Sequence, residues 1–417
     1  MNDAEVALEE LTRLGLHRST RLISSPQGPR VMLDGRPVLL LCSNNYLGLA
    51  EHPRVREAAA DAAMRWGVGA GASRLVSGTM TIHEKLEQRL ADFEGTERCV
   101  LFGSGYLANI GVIGALTSLP AAHTNSGGGE RVVFSDALNH ASIVDGCRLA
   151  KARTFVYRHR DVEHLAWGLR EAAAGSVIVT DSVFSMDGDI APLVEIVELA
   201  ERHSARVIVD EAHATGALGP GGRGAVAAAG LEGRVTVVVG TLGKALGSYG
   251  AYACASSATV EYLVNSARTL IFSTAPPPPA IAGALAALEL LSEQPRRVEK
   301  LRANSALMRA ALARAGIPPG DGDTQIIPLI VGGALQAVEL CAAALRRGVF
   351  AQAIRPPTVA PRSSRLRLTL MASHTASEIK GAAEAIAAAA ADTGVSFEGE
   401  TAPAGEVLAA SAGPAAR

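Results

Sequence analysis

The chain has 417 residues, 48% hydrophobic and 19% charged, and its 39 Lys and Arg nearly balance 41 Asp and Glu for a formal net charge of −2. A chain this long buries a sizeable core and is expected to divide into one large and one smaller domain. Charges scattered without a basic stripe argue against nucleic acid as a partner, and the widely spaced Cys42, Cys99, Cys147, Cys254 and Cys341, with no CxxC pair or zinc-type spacing, point to buried, reduced thiols and no metal site.

In chain order, the opening "MNDAEVALEELTRLGLHRS" carries acids and lacks the charged-then-apolar layout of a signal segment. No apolar run reaches the ~20 residues a membrane helix needs, so a soluble, cytoplasmic protein without a membrane partner is expected. Residues 1–50 read as an N-terminal segment and 51–285 as a large α/β domain. Within that domain short aliphatic runs recur: "RCVLF" at 98–102, "RVVF" at 131–134, "SVIVTD" at 176–181, "RVIVDE" at 206–211, "RVTVVVG" at 234–240 and "AYACAS" at 251–256. Continuous rather than alternating hydrophobicity, with helical stretches between, predicts a mostly parallel sheet covered on both faces. The helical period is visible in "HEKLEQRLADF", where Leu86, Leu90 and Phe93 share a face, and in "LVEIVELAERH", where Leu193, Ile196, Val197 and Ala200 do. "TAPPPPA" at 274–280 breaks the pattern, because four prolines remove four backbone donors, and a domain hinge is expected near it. Residues 286–395 then read as a smaller α+β domain. Residues 396–417, rich in Ala, Gly and Pro, read as a disordered tail, and "HTNSGGGE" at 123–130 as a flexible insertion.

Several motifs invite false readings. "DEAH" at 210–213 is spelled as in a nucleotide-driven motor, but such a motor needs GxxxxGK[ST] to cradle phosphates, and the chain's GK pair, Gly243-Lys244, is followed by Ala245. "GVGAGA" at 67–72 matches a dinucleotide fingerprint only formally, since a helical stretch rather than a strand precedes it. "HEKLE" at 83 lacks the second histidine of HExxH and reads as an ordinary surface helix start. The strongest local signal is "VVVGTLGKALGSYGAY" at 237–252, where a buried strand delivers Thr241 and Lys244 into a glycine-studded loop. Alone, Lys244 is either an imine-forming amine, nucleophilic through desolvation, or a solvated lysine on a turn. Asp210 closes a second aliphatic run, and neighbouring strands at ~4.8 Å spacing would set acid and amine ~10 Å or less apart. That pairing suits pyridoxal phosphate, with the lysine on its aldehyde and the carboxylate keeping the ring nitrogen protonated. A cap or ion-pair partner is the other reading of Asp210, and a simple hydrogen-bonded loop residue that of His213.

With these residues stand "CSNNYLGLAEHP", "GAGASRLVSGTMTIHEKLE", "FGSGYLAN", "DALNHASIVDG", "DSVFSMDGDIAPL", "DEAHATGALGPGGRG", "TLGKALG", "FSTAPPP" and "IRPPTV", in that order. Over roughly residues 15–390 the chain resembles the α-oxoamine synthases, fold-type I pyridoxal phosphate enzymes. The resemblance implies a large domain with a mostly parallel seven-stranded sheet, a smaller C-terminal α+β domain, and a homodimer with shared active sites. It implies pyridoxal 5′-phosphate carried covalently on Lys244, which is also the base that removes the amino acid's α-proton. Asp210 would face the ring nitrogen, His213 the ring oxygen, and His140 the ring face. Backbone amides of Gly105 and Tyr106 would hold the phosphate, aided by Thr241 and, from the partner subunit, by Thr274, with Ser185 also touching the cofactor. On the substrate side the resemblance assigns Arg355 to the amino-acid carboxylate, for which a planar bidentate donor is suited, and Asn44 to a substrate contact. An N-terminal arginine would touch the acyl-CoA, with Arg18 favoured over Arg21.

The reaction so implied joins an amino acid to an acyl-CoA with loss of carbon dioxide. "IRPPTV" favours the branch that uses L-alanine and a pimeloyl thioester on the way to biotin. The family pattern continues with a proline where this chain has Ala360, which loosens the choice of substrate more than the chemistry. A sister activity such as glycine C-acetyltransferase, and a non-catalytic family subunit, are the alternatives. A scaffold has no physical need to keep Lys244, Asp210, His213 and His140 together.

Overall fold

The computed structural model describes residues 2–119 and 131–397. The insertion expected at 123–130 and the tail beyond residue 397 lie outside them. The chain divides into two compact units: Met1–Gly48 with Met186–Asp189 and Glu299–Arg417, and Leu49–Ser185 with Ile190–Val298.

The first unit opens with a helix, Asp3–Arg13, closed by an Asn2/Glu5 capping box, and then a hairpin of β1 (Arg30–Leu33) and β2 (Arg36–Leu40). Its two-residue turn is Asp34-Gly35, both at positive φ (48° and 78°), the conformation that matches strand twist and that Asp-Gly adopts at low cost.

The second unit is built on seven strands: β3 (Arg98–Phe102), β4 (Val132–Asp136), β5 (Arg153–Tyr157), β6 (Val177–Asp181), β7 (Arg206–Asp210), β8 (Val237–Thr241) and β9 (Ala251–Ala255). Their order is β3-β9-β8-β7-β6-β4-β5, with β9 antiparallel to both neighbours and the other pairings parallel. The mostly parallel seven-stranded sheet is thus present. β4, β6 and β9 are buried at every residue, so apolar side chains meet protein on both faces, each buried Val or Ile contributing ~1.5–3 kcal/mol. Val100, Phe102, Ile113, Val179, Ile208 and Val239 belong to one cluster of this core. Because β9 reverses, β3, β4, β6, β7 and β8 all point one way, and the residues that follow them gather at one edge of the sheet. Within "TAPPPPA" the chain resumes as a helix at Pro278, the first-turn position where a missing N–H costs nothing.

The first unit is completed by β10 (Ile326–Gly332), β11 (Val349–Phe350), β12 (Gln352–Ile354) and β13 (Ser364–Thr369). β13 is central to an antiparallel β10-β13-β12 sheet, and β11 extends the hairpin by pairing parallel to β2.

Candidate active site

The loop between β8 and β9 carries Lys244, and its own backbone closes it. Leu242 N donates to Gly250 O (2.9 Å), Ser248 N to Leu242 O (2.8 Å) and Gly247 N to Lys244 O (2.9 Å). Thr241 Oγ1 donates to Gly250 O at 3.1 Å and accepts from Gly243 N at 3.2 Å, so this hydroxyl builds the loop. Gly247 has φ +62°, and a Cβ there would run into the backbone of Leu49 and Ala50, which explains the glycine. The half-buried Lys244 extends from this frame to put Nζ 2.8 Å from His213 Nε2, the lysine donating. His213 is buried in the turn after β7.

Asp210, the last residue of β7, is 4% exposed. Ala212 N donates to its Oδ1 at 2.8 Å and Asn109 Nδ2 to its Oδ2 at 2.6 Å. On the adjacent strand Asp181 lies in register with it, and its Oδ2 accepts from His140 N at 2.7 Å. Burial and the charge of Asp210 push the Asp181 carboxyl well above the usual range, partly offset by the His140 amide and Lys244. His140 caps the helix Ala141–Leu149, its Nδ1 accepting from Ser142 N (3.2 Å) and meeting Ser142 Oγ at 2.7 Å. His140 is exposed as a residue, yet desolvation lowers its pKa, with Asp210 opposing the shift and Lys244 adding to it.

Past β3 the chain enters the helix Gly105–Ser118, capped by Ser104, whose hydroxyl accepts from Leu107 N. Gly105 and Tyr106 are its first two residues, whose amides no intrahelical carbonyl can satisfy. The Tyr106 side chain is exposed and donates to Asp145 Oδ2 at 2.7 Å. Ser185 is half-buried in the loop after β6. Thr274 is exposed and forms an isolated antiparallel bridge with Ser73. The same edge therefore collects Gly105, Tyr106, His140, Asp210, His213, Thr241 and Lys244 from the ends of four parallel strands, β3, β4, β7 and β8, where α/β sheets place their ligands.

Sequence reasoning took His83 for part of a surface helix start; it is fully buried. Its Nδ1 accepts from Met80 N (3.1 Å) and its Nε2 donates to Pro276 O (2.8 Å), tying the helix Thr81–Glu94 to the segment that carries Thr274. Glu211 is also fully buried, accepting from Ala225 N (3.0 Å), Val226 N (2.7 Å) and Ser182 Oγ (3.2 Å); burial pushes its carboxyl up to about 7. The Glu of "DEAH" is thus an internal brace. Asn109, Ser142 and Asp181 were likewise missed. The signal available was a polar residue within a run destined for burial, as in "GYLANIGV".

The remaining candidates lie in the first unit. Arg355 is 9% exposed; its Nη1 donates to Gly15 O and, at 3.3 Å, to His17 O, and burial followed by the charge of Arg18 lowers its pKa. Arg18 is exposed and donates to Pro356 O at 2.9 Å. Asn44 Oδ1 accepts from Tyr46 OH (3.1 Å) and from both terminal nitrogens of the buried Arg367 (3.3 and 3.4 Å). Four of the five cysteines are buried and Cys42 is half-buried; all are free. Among the described residues no cluster of His, Cys, Asp and Glu could hold a metal, and no helix is long and apolar enough to cross a membrane.

A lysine, a carboxylate and histidines at the strand-end edge of a mostly parallel seven-stranded sheet define an α/β transferase of fold type I. Residues 36–386 match the family described as Aminotransferase class I and II, and the chain belongs to it. An 8-amino-7-oxononanoate synthase from Citrifermentans bemidjiense is 50% identical over 380 residues, covering 90% of this chain and 95% of that protein. Among solved structures, SPT with PLP as an internal aldimine superposes with a TM-score of 0.86 at 32% identity, covering 94% of this chain and 98% of that one. An 8-amino-7-oxononanoate synthase from Francisella tularensis gives 0.71 at 26% identity, covering 84% and 97%.

Proposed function

We propose that this chain is a pyridoxal 5′-phosphate-dependent acyltransferase that condenses L-alanine with a pimeloyl thioester to give 8-amino-7-oxononanoate, coenzyme A and carbon dioxide, a step of biotin biosynthesis in the cytoplasm. The observation that carries it is the Lys244 amine held 2.8 Å from His213 Nε2 at the sheet edge that also bears Asp210. The donor set fits the cofactor. Lys244 offers the amine for its aldehyde, Asp210 a carboxylate for its ring nitrogen, His213 a partner for its ring oxygen and His140 a surface for its ring face. Gly105 and Tyr106 offer first-turn amides for its phosphate, with Thr241, Ser185 and the partner subunit's Thr274 beside them. Bound there, the cofactor supplies a sink for the electron pair left when the amino acid loses its α-proton.

The chain's own residues do the rest. Lys244, displaced by the amino acid but tethered beside it, takes the α-proton, and proximity makes it effective. Arg355 holds the substrate carboxylate, its planar guanidinium having donors beyond those given to Gly15 and His17. Asn44 and Arg18 contact substrate, Arg18 on the acyl side. The enzyme acts as a homodimer with shared sites. In support, Met64, Val68, Val76 and Phe272 are 89, 79, 79 and 71% exposed, and the Ser73–Thr274 bridge joins the segments that carry Val76 and Phe272; apolar surface of this kind marks interfaces.

One observation favours a second substrate pair: the fold superposes better on SPT than on the Francisella synthase. The test is absorbance in the near-ultraviolet and visible after incubation with pyridoxal 5′-phosphate, then mass spectrometry of products from alanine with pimeloyl-CoA, serine with palmitoyl-CoA and glycine with acetyl-CoA. A cofactor band absent in Lys244→Ala, and product from the first pair, are expected. No band in the wild type would overturn the enzyme; product from another pair alone would overturn the substrates.

A further inference from the structure

Beneath the site is a buried amide that the reaction as described does not use. Asn109 is fully buried, and both hydrogens of its Nδ2 are donated, one to Asp210 Oδ2 at 2.6 Å and one to Ser142 Oγ at 2.9 Å. Its Oδ1 is buried with no hydrogen-bond partner among the described residues. An unsatisfied buried acceptor is a cost, so an asparagine here serves its two donors rather than the packing. The amide cannot be turned over, because that would set Oδ1 against the Asp210 carboxylate.

The second donor occupies one lone pair of the Ser142 hydroxyl, which also meets His140. Ser142 is 1% exposed and has one hydroxyl hydrogen. Because the Ser142 amide donates to His140 Nδ1, that nitrogen has no proton to give, and the hydroxyl hydrogen goes to it across 2.7 Å. His140 Nδ1 also faces the Ser142 amide at 3.2 Å. Two donors on Nδ1 require it to be the bare nitrogen, leaving the proton on Nε2.

We propose that Asn109 is a positioning residue that sets the Asp210 carboxylate and, through Ser142, the tautomer and ring orientation of His140, so that the group meeting the ring nitrogen of the cofactor and the group meeting its ring face are aligned by one amide. The proposal deepens the reading of the site given above and rests on it for its purpose, but not for its hydrogen bonds.

The experiment is nitrogen-15 NMR of histidine-labelled full-length protein, as purified, with His140 assigned from the signal lost in His140→Gln. The wild type should show a pyridine-like Nδ1 and a pyrrole-like Nε2. Asn109→Asp replaces the donor by an acceptor, turns the Ser142 hydroxyl toward residue 109, and should move both His140 shifts toward the opposite tautomer. Ser142→Ala, a small change where Asn109→Asp could impair folding, should move the His140 shifts while leaving the Asn109–Asp210 bond. Asn109→Ala should weaken retention of pyridoxal 5′-phosphate about ten-fold or more, the scale of a lost hydrogen bond to a charged group. Unchanged His140 shifts in Asn109→Asp, or shifts that respond to Ser142→Ala alone, would overturn the proposal. A chain that takes up no pyridoxal 5′-phosphate would instead sink the functional reading, while the histidine shifts still decide this one.

Discussion

Glu94 is buried against Tyr252, whose hydroxyl donates to its Oε1 at 2.6 Å and meets Thr215 Oγ1 at 3.0 Å. Burial pushes its carboxyl up to about 8; the Tyr252 bond and Arg223 pull it down, and Glu211 pushes it further up. A carboxyl whose folded pKa exceeds its unfolded value near 4.5 binds more protons in the folded state. Its contribution to stability is therefore complete below about pH 4.5 and is lost as pH rises through about 8. Glu94→Gln keeps the acceptor for Tyr252 and removes the titration. Relative to this variant, the wild type should lose thermal stability between pH ~4.5 and ~8, by roughly 2 °C or more. Parallel melting curves across that range would show that Glu94 carries no such linkage. Residue by residue, the chemistry was legible near strand ends: Asp210 stands out because an aliphatic run stops at it, and Lys244 because it lies in the glycine-studded loop that follows another. For Asn109, Ser142 and Asp181 the sequence shows at most a polar residue within an apolar run; the partners that give Asn109 and Asp181 their roles lie dozens of residues away, and such pairings leave no local pattern.

At the scale of elements, strands buried on both faces are the easiest to read from the sequence. β6 is buried throughout and was found as "SVIVTD"; β5, the edge strand with three exposed positions, has no continuous apolar run and was missed. The β1–β2 hairpin had a usable signal in "LDGR", an Asp-Gly turn between apolar runs, which was passed over. Between elements, His83 joins a helix start to the proline segment by one bond at each ring nitrogen. Burial, with a smaller push from Arg74, lowers its pKa, so the ring stays neutral and keeps both roles. His83→Ala strands the Pro276 carbonyl and opens a cavity, and should cost about 2–4 kcal/mol. It should also make the chain around Thr274 more sensitive to limited proteolysis. A melting temperature and cleavage pattern like the wild type's would mean that packing alone holds the segment.

Across the large unit, the sheet pairs the first strand with the last, Cys99 facing Cys254, while β6 and β7 pair across a single helical connection. Closing a long loop costs more chain entropy than closing a short one, so contacts distant in sequence form later. In refolding followed by pulse-labelled hydrogen exchange and mass spectrometry, the amides of β3 should gain protection together with those of β9, and after those of β6 and β7. Protection of β3 ahead of β9 would contradict this order. During synthesis the same topology leaves "RCVLF" without a strand neighbour until the ribosome has passed residue 255. Lys244 lies on the connection into that final strand, so its loop is pinned by Gly250 only once the start of β9 has been made. A chain that ends short of β9 therefore lacks the frame that holds the amine, and should retain no cofactor.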